Sequence, residues 1–268
     1  MNDSPITPVE ILAAIRDRSD GQSGDRLDLY RVNVSGVDLQ QTNLQKLNAI
    51  GANFSGANLS GADLSGADLR GVNFQGANLS DANLTGAYLN RAELQGTNLT
   101  GANLTGAKLQ VARYDRQTIW TEGFAYKSSG AIGPGAALNG AYLNTANLRD
   151  ADLSGANLLG SYLSGADLTG ANLQNVRLSG ATLQFAFLTG ASLRNARLNG
   201  VDLQGADLRA ADLTGIEIEH LNSIAGADFS LVQGLDEEIR AMLLGRSSQE
   251  LDVWNAFTRR TTRQSLVV

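Results

Sequence analysis

The sequence predicts an all-β solenoid, a chain that winds in coils around a narrow apolar core. Two observations favour this fold class. Leucine or a substitute recurs at every fifth residue, as in "GANLSGADLSGADLRG" over residues 56–71, in one run from Leu29 to Leu109 and another from Leu138 to Ile218. A small residue, usually alanine, precedes most of these positions by two residues, and glycine often follows by two.

The period of five excludes the two common secondary structures. Five residues advance about 500° around an α-helix, so the leucines would spread over every face. In a long β-strand, successive leucines would alternate between opposite faces. Within one unit, alanine and leucine two residues apart point the same way, and the polar residue and glycine that follow can turn the chain. Each unit is therefore one short side and one corner, with Asn or Asp facing outward.

Recurring unusual residues indicate four sides in each coil. Four sides of five residues bring positions 20 apart into one column. That spacing separates three pairs of residues that depart from the general pattern: Phe54 and Phe74, Tyr142 and Tyr162, and Arg177 and Arg197.

The repeated unit A(D/N)LxG carries a family resemblance. Stretches such as "ADLSGANLLGSYLSGADLTGANL" over residues 151–173 resemble the pentapeptide repeat proteins, a family abundant in cyanobacteria. The resemblance covers residues 27–229, with a first run over 27–113 and a second over 138–229. It implies a right-handed quadrilateral β-helix with four pentapeptides per coil.

A short α-helical cap is predicted at the N-terminal end, because a stack of coils exposes an open edge at each end. Residues 1–26 contain "ITPVEILAAI". Here Thr7 is the expected N-cap, Pro8 lies in the first turn, and Glu10 completes a capping box.

The C-terminal cap is predicted over residues 230–268. The segment "LDEEIRAMLLG" places its apolar residues on one helix face and ends at Gly245. A second short helix is expected after Ser247, carrying Leu251, Trp254 and Phe257. The basic tail "RRTTRQSLVV" is expected to be disordered.

An insertion loop over residues 114–137 interrupts the register between the two runs. It contains Trp120, Phe124 and Tyr126, followed by the loop-forming "KSSGAIGPG". Two interpretations stay open. The aromatic side chains fold back on the β-helix wall as a small satellite cluster, or the loop is exposed and recognises a partner.

The composition leaves little material for catalysis. The chain has no cysteine and one histidine, His220, and it lacks a glycine-rich phosphate loop. We therefore predict that the protein is not an enzyme and has no catalytic residues, metal or cofactor. The N-terminus lacks the features of a secretory signal, and no apolar run approaches the roughly 18 residues that cross a bilayer. We expect a cytoplasmic protein that does not bind membranes.

A group of outward apolar residues, here named the aromatic edge, breaks the polar pattern of the wall. In the four-sided arrangement two of its tyrosines share a column and the other members lie around neighbouring corners. Two interpretations of this contiguous apolar patch stay open: it is a binding site, or it is incidental variation of the repeat or crystal-scale contacts. The members of the aromatic edge are Tyr142, Leu159, Tyr162, Phe185 and Phe187.

These observations favour a non-enzymatic interaction module that binds a cytoplasmic regulatory or metabolic protein. The predicted contacts are the aromatic edge together with Trp120, Phe124 and Tyr126 of the insertion. The alternative, which the family resemblance implies, is inhibition or protection of DNA gyrase by mimicry of DNA. Mimicry requires a strong negative potential. The net charge is −6, but residues 29–109 carry equal numbers of acidic and basic side chains. We expect no direct nucleic-acid binding, and a homodimer through the C-terminal helices is left open.

Overall fold

The computed structural model describes residues 27–267 of the chain. The predicted N-terminal cap over residues 1–26 lies outside the described residues. The chain divides into two compact units, Met1–Ile132 and Gly133–Val268. Each unit is described by itself.

Parallel β-bridges join residues 20 positions apart in the first unit, which confirms the predicted four-sided register. The bridging residue is the polar residue that precedes each leucine. The bridges begin at Asp28 and Asn48 and continue to Glu93 and Arg113. Each side contributes one bridging residue, so the sides are short bridges rather than long strands.

Three backbone hydrogen bonds join each side to the side above it in the next coil. The amide of Leu59 donates to the carbonyl of Asn78 at 2.7 Å, and the amide of Gly61 donates to Ser80 at 2.8 Å. In the opposite direction, the amide of Asn78 donates to the carbonyl of Ala57 at 2.9 Å. Because one coil alone makes none of these bonds, stacking is what stabilises the fold.

Each corner is a β-turn in which one residue adopts the left-handed backbone conformation, with positive φ. The amide of Ala62 donates to the carbonyl of Leu59 at 3.0 Å, and Gly61 between them has φ +63°. Positive φ at the third turn position is the mark of a type II turn, and glycine adopts it without steric cost. Phe185 and Leu231 occupy the same turn position with φ 56° and 61°.

The inward side chains form a narrow core in which a smaller residue at one position is compensated by a larger one nearby. Phe54 and Phe74 stack in one column with ring centroids 5.5 Å apart. Ala49 replaces a leucine at the large inward position, and Leu47 replaces an alanine at the small one. Both are fully buried. The exchange keeps the filled volume, as a tightly packed interior requires.

Outward asparagines are structural in the first unit. The Asn58 Oδ1 atom accepts the amide of Ser60 at 3.2 Å. The Nδ2 atom of Asn58 donates to Asp38 at 2.9 Å, and that of Asn78 donates to Asn58 at 3.3 Å. These bonds link successive coils along one column, here named the asparagine ladder, so the polar wall helps to hold the coil together.

The second unit repeats this architecture with one change of register. Bridges 20 residues apart run from Ala137 and Asn157 to Arg197 and Glu217. The later bridges, beginning with Asp202 and Ser223, span 21 positions. The added residue lies in "IEIEHLN" over 216–222, where the regular pentapeptides end.

Three helices follow the last coil. Helix α1 is Glu237–Leu244, α2 is Ser248–Leu251 and α3 is Thr262–Leu266. Asp236 caps α1 and Gly245 ends it, which confirms that predicted helix. Helix α2 ends before Trp254 and Phe257, so the prediction that it carries these residues is wrong.

Within the described residues 259–267 the C-terminal tail forms a helix and bonds to the last coil, so the expected disorder is wrong there. Helix α3 begins with a capping box between Thr261 and Gln264. Thr262 donates its hydroxyl to the carbonyl of Ile224 at 2.9 Å, and Ser265 accepts the amide of Phe229 at 3.0 Å. The tail therefore satisfies backbone groups that the last coil leaves open.

Candidate interaction surface

The insertion folds back onto the first unit. Tyr114, at an inward position of the coil, contacts Trp120 edge-on with centroids 5.6 Å apart and Tyr126 at 5.4 Å. Trp120 stacks on Tyr126 at 5.1 Å and lies 5.6 Å from Phe124. All three insertion rings are partly buried against the core. The structure thus favours the satellite cluster, and these rings are not the exposed contacts that the recognition alternative requires.

Polar side chains anchor the start of the insertion. Asp115 accepts the amides of Gly96 at 3.0 Å and Thr118 at 2.9 Å. Thr118 donates its hydroxyl to the carbonyl of Leu94 at 2.8 Å. These side-chain bonds take the place of the backbone bonds between coils at the point where the chain leaves the coil.

The tyrosine pair of the aromatic edge is exposed. Tyr142 and Tyr162 are bridge partners in one column, and their rings stack with centroids 4.8 Å apart and an interplanar angle of 4°. Tyr142 is 78% exposed and Tyr162 is 43% exposed. The column therefore presents two parallel rings where the repeat normally presents Asn or Asp.

Phe185 continues the exposed surface from a corner. It holds the left-handed turn position and is 46% exposed. A Cβ atom added at Gly205 would lie 2.5 Å from Phe185 Cδ1, so the ring lies directly over this glycine of the next coil. Leu159, at the other corner of this face, is half-buried.

Phe187 is partly covered by the C-terminal segment, which the sequence did not predict. Its ring contacts Phe257 at 5.1 Å with an interplanar angle of 62°. Phe257 itself is 56% exposed, and Trp254 in the same segment is 62% exposed. Phe257 therefore joins the candidate surface, and the exposed Trp254 lies three residues before it in the same segment. No local signal in the repeats places them there.

Asn255 fixes the segment that carries these two rings. It is buried, and its Nδ2 atom donates to the carbonyls of Gly226 at 2.7 Å and Gly205 at 3.2 Å. Its Oδ1 atom accepts the amides of Phe257 at 2.9 Å and Thr258 at 3.0 Å. One side chain thus ties the segment to two coils and shapes its turn.

An ion pair between a buried carboxylate and an exposed arginine lies in the same column as Phe187. Asp207, 3% exposed, accepts two hydrogen bonds from Arg209 at 2.9 and 2.8 Å. Burial acts to raise the pKa of Asp207, but the bonds from Arg209 outweigh it and hold the pKa below its usual value. Asp228, in the next coil, accepts the amide of Ser230 at 2.8 Å.

Comparison with known proteins decides the family. The family model described as "Pentapeptide repeats" matches in eight copies that together span residues 28–110 and 146–215, more than half of the chain. The chain belongs to the pentapeptide repeat family. A search of curated proteins found no match.

Several solved pentapeptide repeat structures resemble the chain. The protein alr5209 from Nostoc Pcc 7120 is 37% identical over 48% of this chain and 98% of its own, with a TM-score of 0.37. Rfr23 from the cyanobacterium Cyanothece 51142 is 41% identical over 37% of this chain and 67% of its own, with a TM-score of 0.36. HetL from Nostoc sp. Strain PCC 7120, involved in heterocyst differentiation regulation, is 29% identical over 82% of this chain and 95% of its own, with a TM-score of 0.25.

The matched family model describes a structural repeat and names no catalytic family. Within residues 27–267, no three His, Cys, Asp or Glu side chains converge in a way that could hold a metal ion. His220 is exposed in the turn where the regular repeats end. Over the same described residues, no helix has the length and apolar character needed to cross a membrane.

Proposed function

We propose that this pentapeptide repeat protein is a non-enzymatic interaction module that binds a cytoplasmic protein with a regulatory or metabolic role. Its coil, right-handed as the family resemblance implies, would serve as a rigid support. The contact surface is the aromatic edge, extended by Trp254 and Phe257. The observation that carries the proposal is the stacked pair of exposed tyrosines with Phe185 beside it.

Exposed rings at these positions give up interactions that the regular repeat makes. A bulky residue in the left-handed turn position costs about 1–2 kcal/mol relative to glycine. The asparagine ladder shows that a polar outward side chain stabilises the stack, and tyrosine cannot make those bonds. Exposed apolar side chains that take the place of such bonds on a polar wall are characteristic of binding surfaces.

The size of the surface suits a protein partner. An aromatic side chain has about 150–250 Å² to bury. Five rings of the surface are 43–78% exposed and together offer on the order of 500 Å². They are Tyr142, Tyr162, Phe185, Trp254 and Phe257. A stable protein interface buries about 800 Å² on each partner. The surface supplies most of one side of such an interface, far more than a small ligand would cover.

DNA mimicry of gyrase is the less favoured function. The asparagine ladder presents neutral amides, whereas duplex DNA carries one negative charge per about 1.7 Å. Several acidic side chains of the second unit are also paired with arginines, such as Asp167 with Arg149 at 3.0 Å and Asp212 with Arg194 at 3.0 Å. A wall neutralised in this way lacks the potential that a DNA-binding enzyme recognises.

Affinity capture with matched variants tests the proposal. The wild-type chain, the double variant Tyr142→Glu/Tyr162→Glu and the control Tyr88→Glu are each immobilised and exposed to an extract of the cells that make the protein. Tyr88 occupies the same outward position in the first unit and is 48% exposed. We expect a protein that binds the wild type and the control but not the double variant. Equal retention by all three chains would exclude the tyrosine pair from the interface.

A further inference from the structure

The coil of the first unit has a gap beside the insertion. Two of the four columns of bridges continue to Ile119 and Ile132, and the other two end earlier, at Asn103 and Lys108. Among the described residues these two have bridge partners in the preceding coil, Asn83 and Tyr88, and none in a following one. The insertion crosses the side that carries Asn103 without pairing with it, whereas just beyond Lys108 the carbonyl of Gly130 in the insertion accepts the amide of Val111 at 2.9 Å. One side of a coil, residues 102–106, is therefore left as an edge.

Backbone groups along this edge are unpaired. One coil earlier, the amides of Leu84 and Gly86 donate to the carbonyls of Asn103 and Thr105, both at 2.9 Å. The equivalent amides on the edge are those of Leu104 and Gly106. Neither makes a hydrogen bond to any residue in 27–267, and the carbonyl of Ala102 receives none.

A groove of about 400 Å³ lies against these groups. Residues 102–106 form one wall, and residues 121–124 of the insertion form the other. Leu104 and Phe124 give the groove apolar contacts. The charged residue in its lining is Glu122, which is exposed. The groove is therefore open, partly apolar and acidic at one wall.

We propose that this groove binds an extended segment of a partner protein by β-strand addition, with a basic side chain of that segment beside Glu122. The inference rests on the proposed function as an interaction module and adds a second contact with a defined mode. An unpaired edge is a template for a new strand, since its donors and acceptors fix where an added chain can bond.

The backbone hydrogen bonds between regular coils specify how the added segment would pair. One of its residues donates its amide to the carbonyl of Ala102 and accepts the amide of Leu104 with its own carbonyl. The residue two positions later accepts the amide of Gly106. This is the pattern that Asn103 and Thr105 make with the coil below. Side chains of the segment then alternate between the apolar groove and solvent.

The first experiment measures amide hydrogen exchange by NMR on the free full-length chain. The amides of Leu104 and Gly106 should exchange faster than the bonded amides of Leu84 and Gly86, which serve as matched controls. Equal protection at all four positions would mean that the edge is already covered, and the proposal would fail.

The second experiment supplies a probe. Random heptapeptides displayed on phage are selected against the immobilised full-length chain, and the selected peptide is then synthesised. Its binding should slow exchange at Leu104 and Gly106 and leave Leu84 and Gly86 unchanged. Methylating the peptide nitrogen that faces Ala102 keeps every side chain but removes one backbone bond, and should weaken binding about tenfold. Glu122→Lys should weaken it further than Glu122→Gln.

The outcomes separate this inference from the proposed function. If no peptide is selected, if N-methylation has no effect, or if exchange at Leu104 does not change, strand addition is wrong. A peptide that instead loses binding with Tyr142→Glu/Tyr162→Glu would place it on the aromatic edge, leaving the interaction module intact. If peptides bind the groove while the extract yields no partner for the tyrosine pair, the aromatic edge is wrong as a contact surface and strand addition at the groove stands.

Discussion

The outward wall of the first unit and the aromatic edge of the second are built on the same repeat but differ in what they present. In the first, the asparagine ladder bonds coil to coil, as between Asn78 and Asn58. In the second, Tyr142 and Tyr162 occupy the equivalent bridge position and stack without such bonds. The inward positions of both units follow one rule. Folding therefore constrains the inside of the coil more tightly than the outside, where side chains can vary with function.

The largest expected effect comes from releasing the segment that completes the aromatic edge. Asn255→Ala removes a buried side chain that bonds two coils and shapes the turn, so we expect a loss of about 3 kcal/mol in the free energy of unfolding. Tryptophan fluorescence during chemical denaturation measures it. The control Asn98→Ala removes a half-buried side chain of the asparagine ladder and should cost less than about 1 kcal/mol. Similar losses for the two would contradict the assignment of Asn255 as the fixing residue.

The next effect tests whether the small inward positions of the two units have the same size limit. Ala67 and Ala166 are both fully buried at the small inward position. Replacing either with leucine should overpack the coil and cost about 1–3 kcal/mol. Equal losses in denaturant unfolding would show that the inward rule is common to both units. A cost confined to one unit would show that the cores differ.

A smaller effect sharpens the position of Phe185. Gly205→Ala and Gly190→Ala both place a side chain at φ +65°, but only the first meets the Phe185 ring. We expect Gly190→Ala to cost about 1 kcal/mol for the turn alone. Gly205→Ala should cost roughly 1 kcal/mol more, because the new methyl group displaces the ring. Identical unfolding free energies would mean that Phe185 does not rest on Gly205.

The smallest effect is a difference in acid sensitivity between the units. Hydrogen bonds hold the pKa of Asp63 in the first unit, and of Asp167, Asp207, Asp212 and Glu250 in the second, below their usual values, although burial opposes the shift. A carboxyl with a lowered folded-state pKa stabilises the fold above its unfolded pKa, and this stabilisation is lost as the pH falls through the folded value. Below about pH 4, hydrogen exchange followed by mass spectrometry should show the second unit losing protection first. Loss from the first unit first would contradict these pairings.

The repeating parts of the molecule were predictable because their information is local. The leucine period fixes the register of 20, the glycine of each unit fixes the turn, and the helix from Glu237 follows from its own caps. The tyrosine column follows from the same register. For the repeats, only the spacing of similar five-residue units was needed.

The non-repeating contacts were not predictable, because they join residues far apart in sequence. Nothing near Phe187 indicates that Phe257 will cover it, and nothing in the insertion alone shows that Trp120 will stack on Tyr126 against Tyr114. The free amide of Leu104 was equally hidden. It depends on the path of the insertion, whereas the repeat around it is regular.

The most direct test of the central claim is hydroxyl-radical footprinting of aromatic side chains with and without the captured partner. The account predicts that Tyr142, Tyr162, Phe185, Trp254 and Phe257 lose labelling in the complex. Tyr30 and Tyr88 of the first unit are similarly exposed, at 49% and 48%, and should label equally in both states. Protection of Tyr30 and Tyr88 with unchanged labelling of Tyr142 and Tyr162 would place the partner on the first unit and contradict the account.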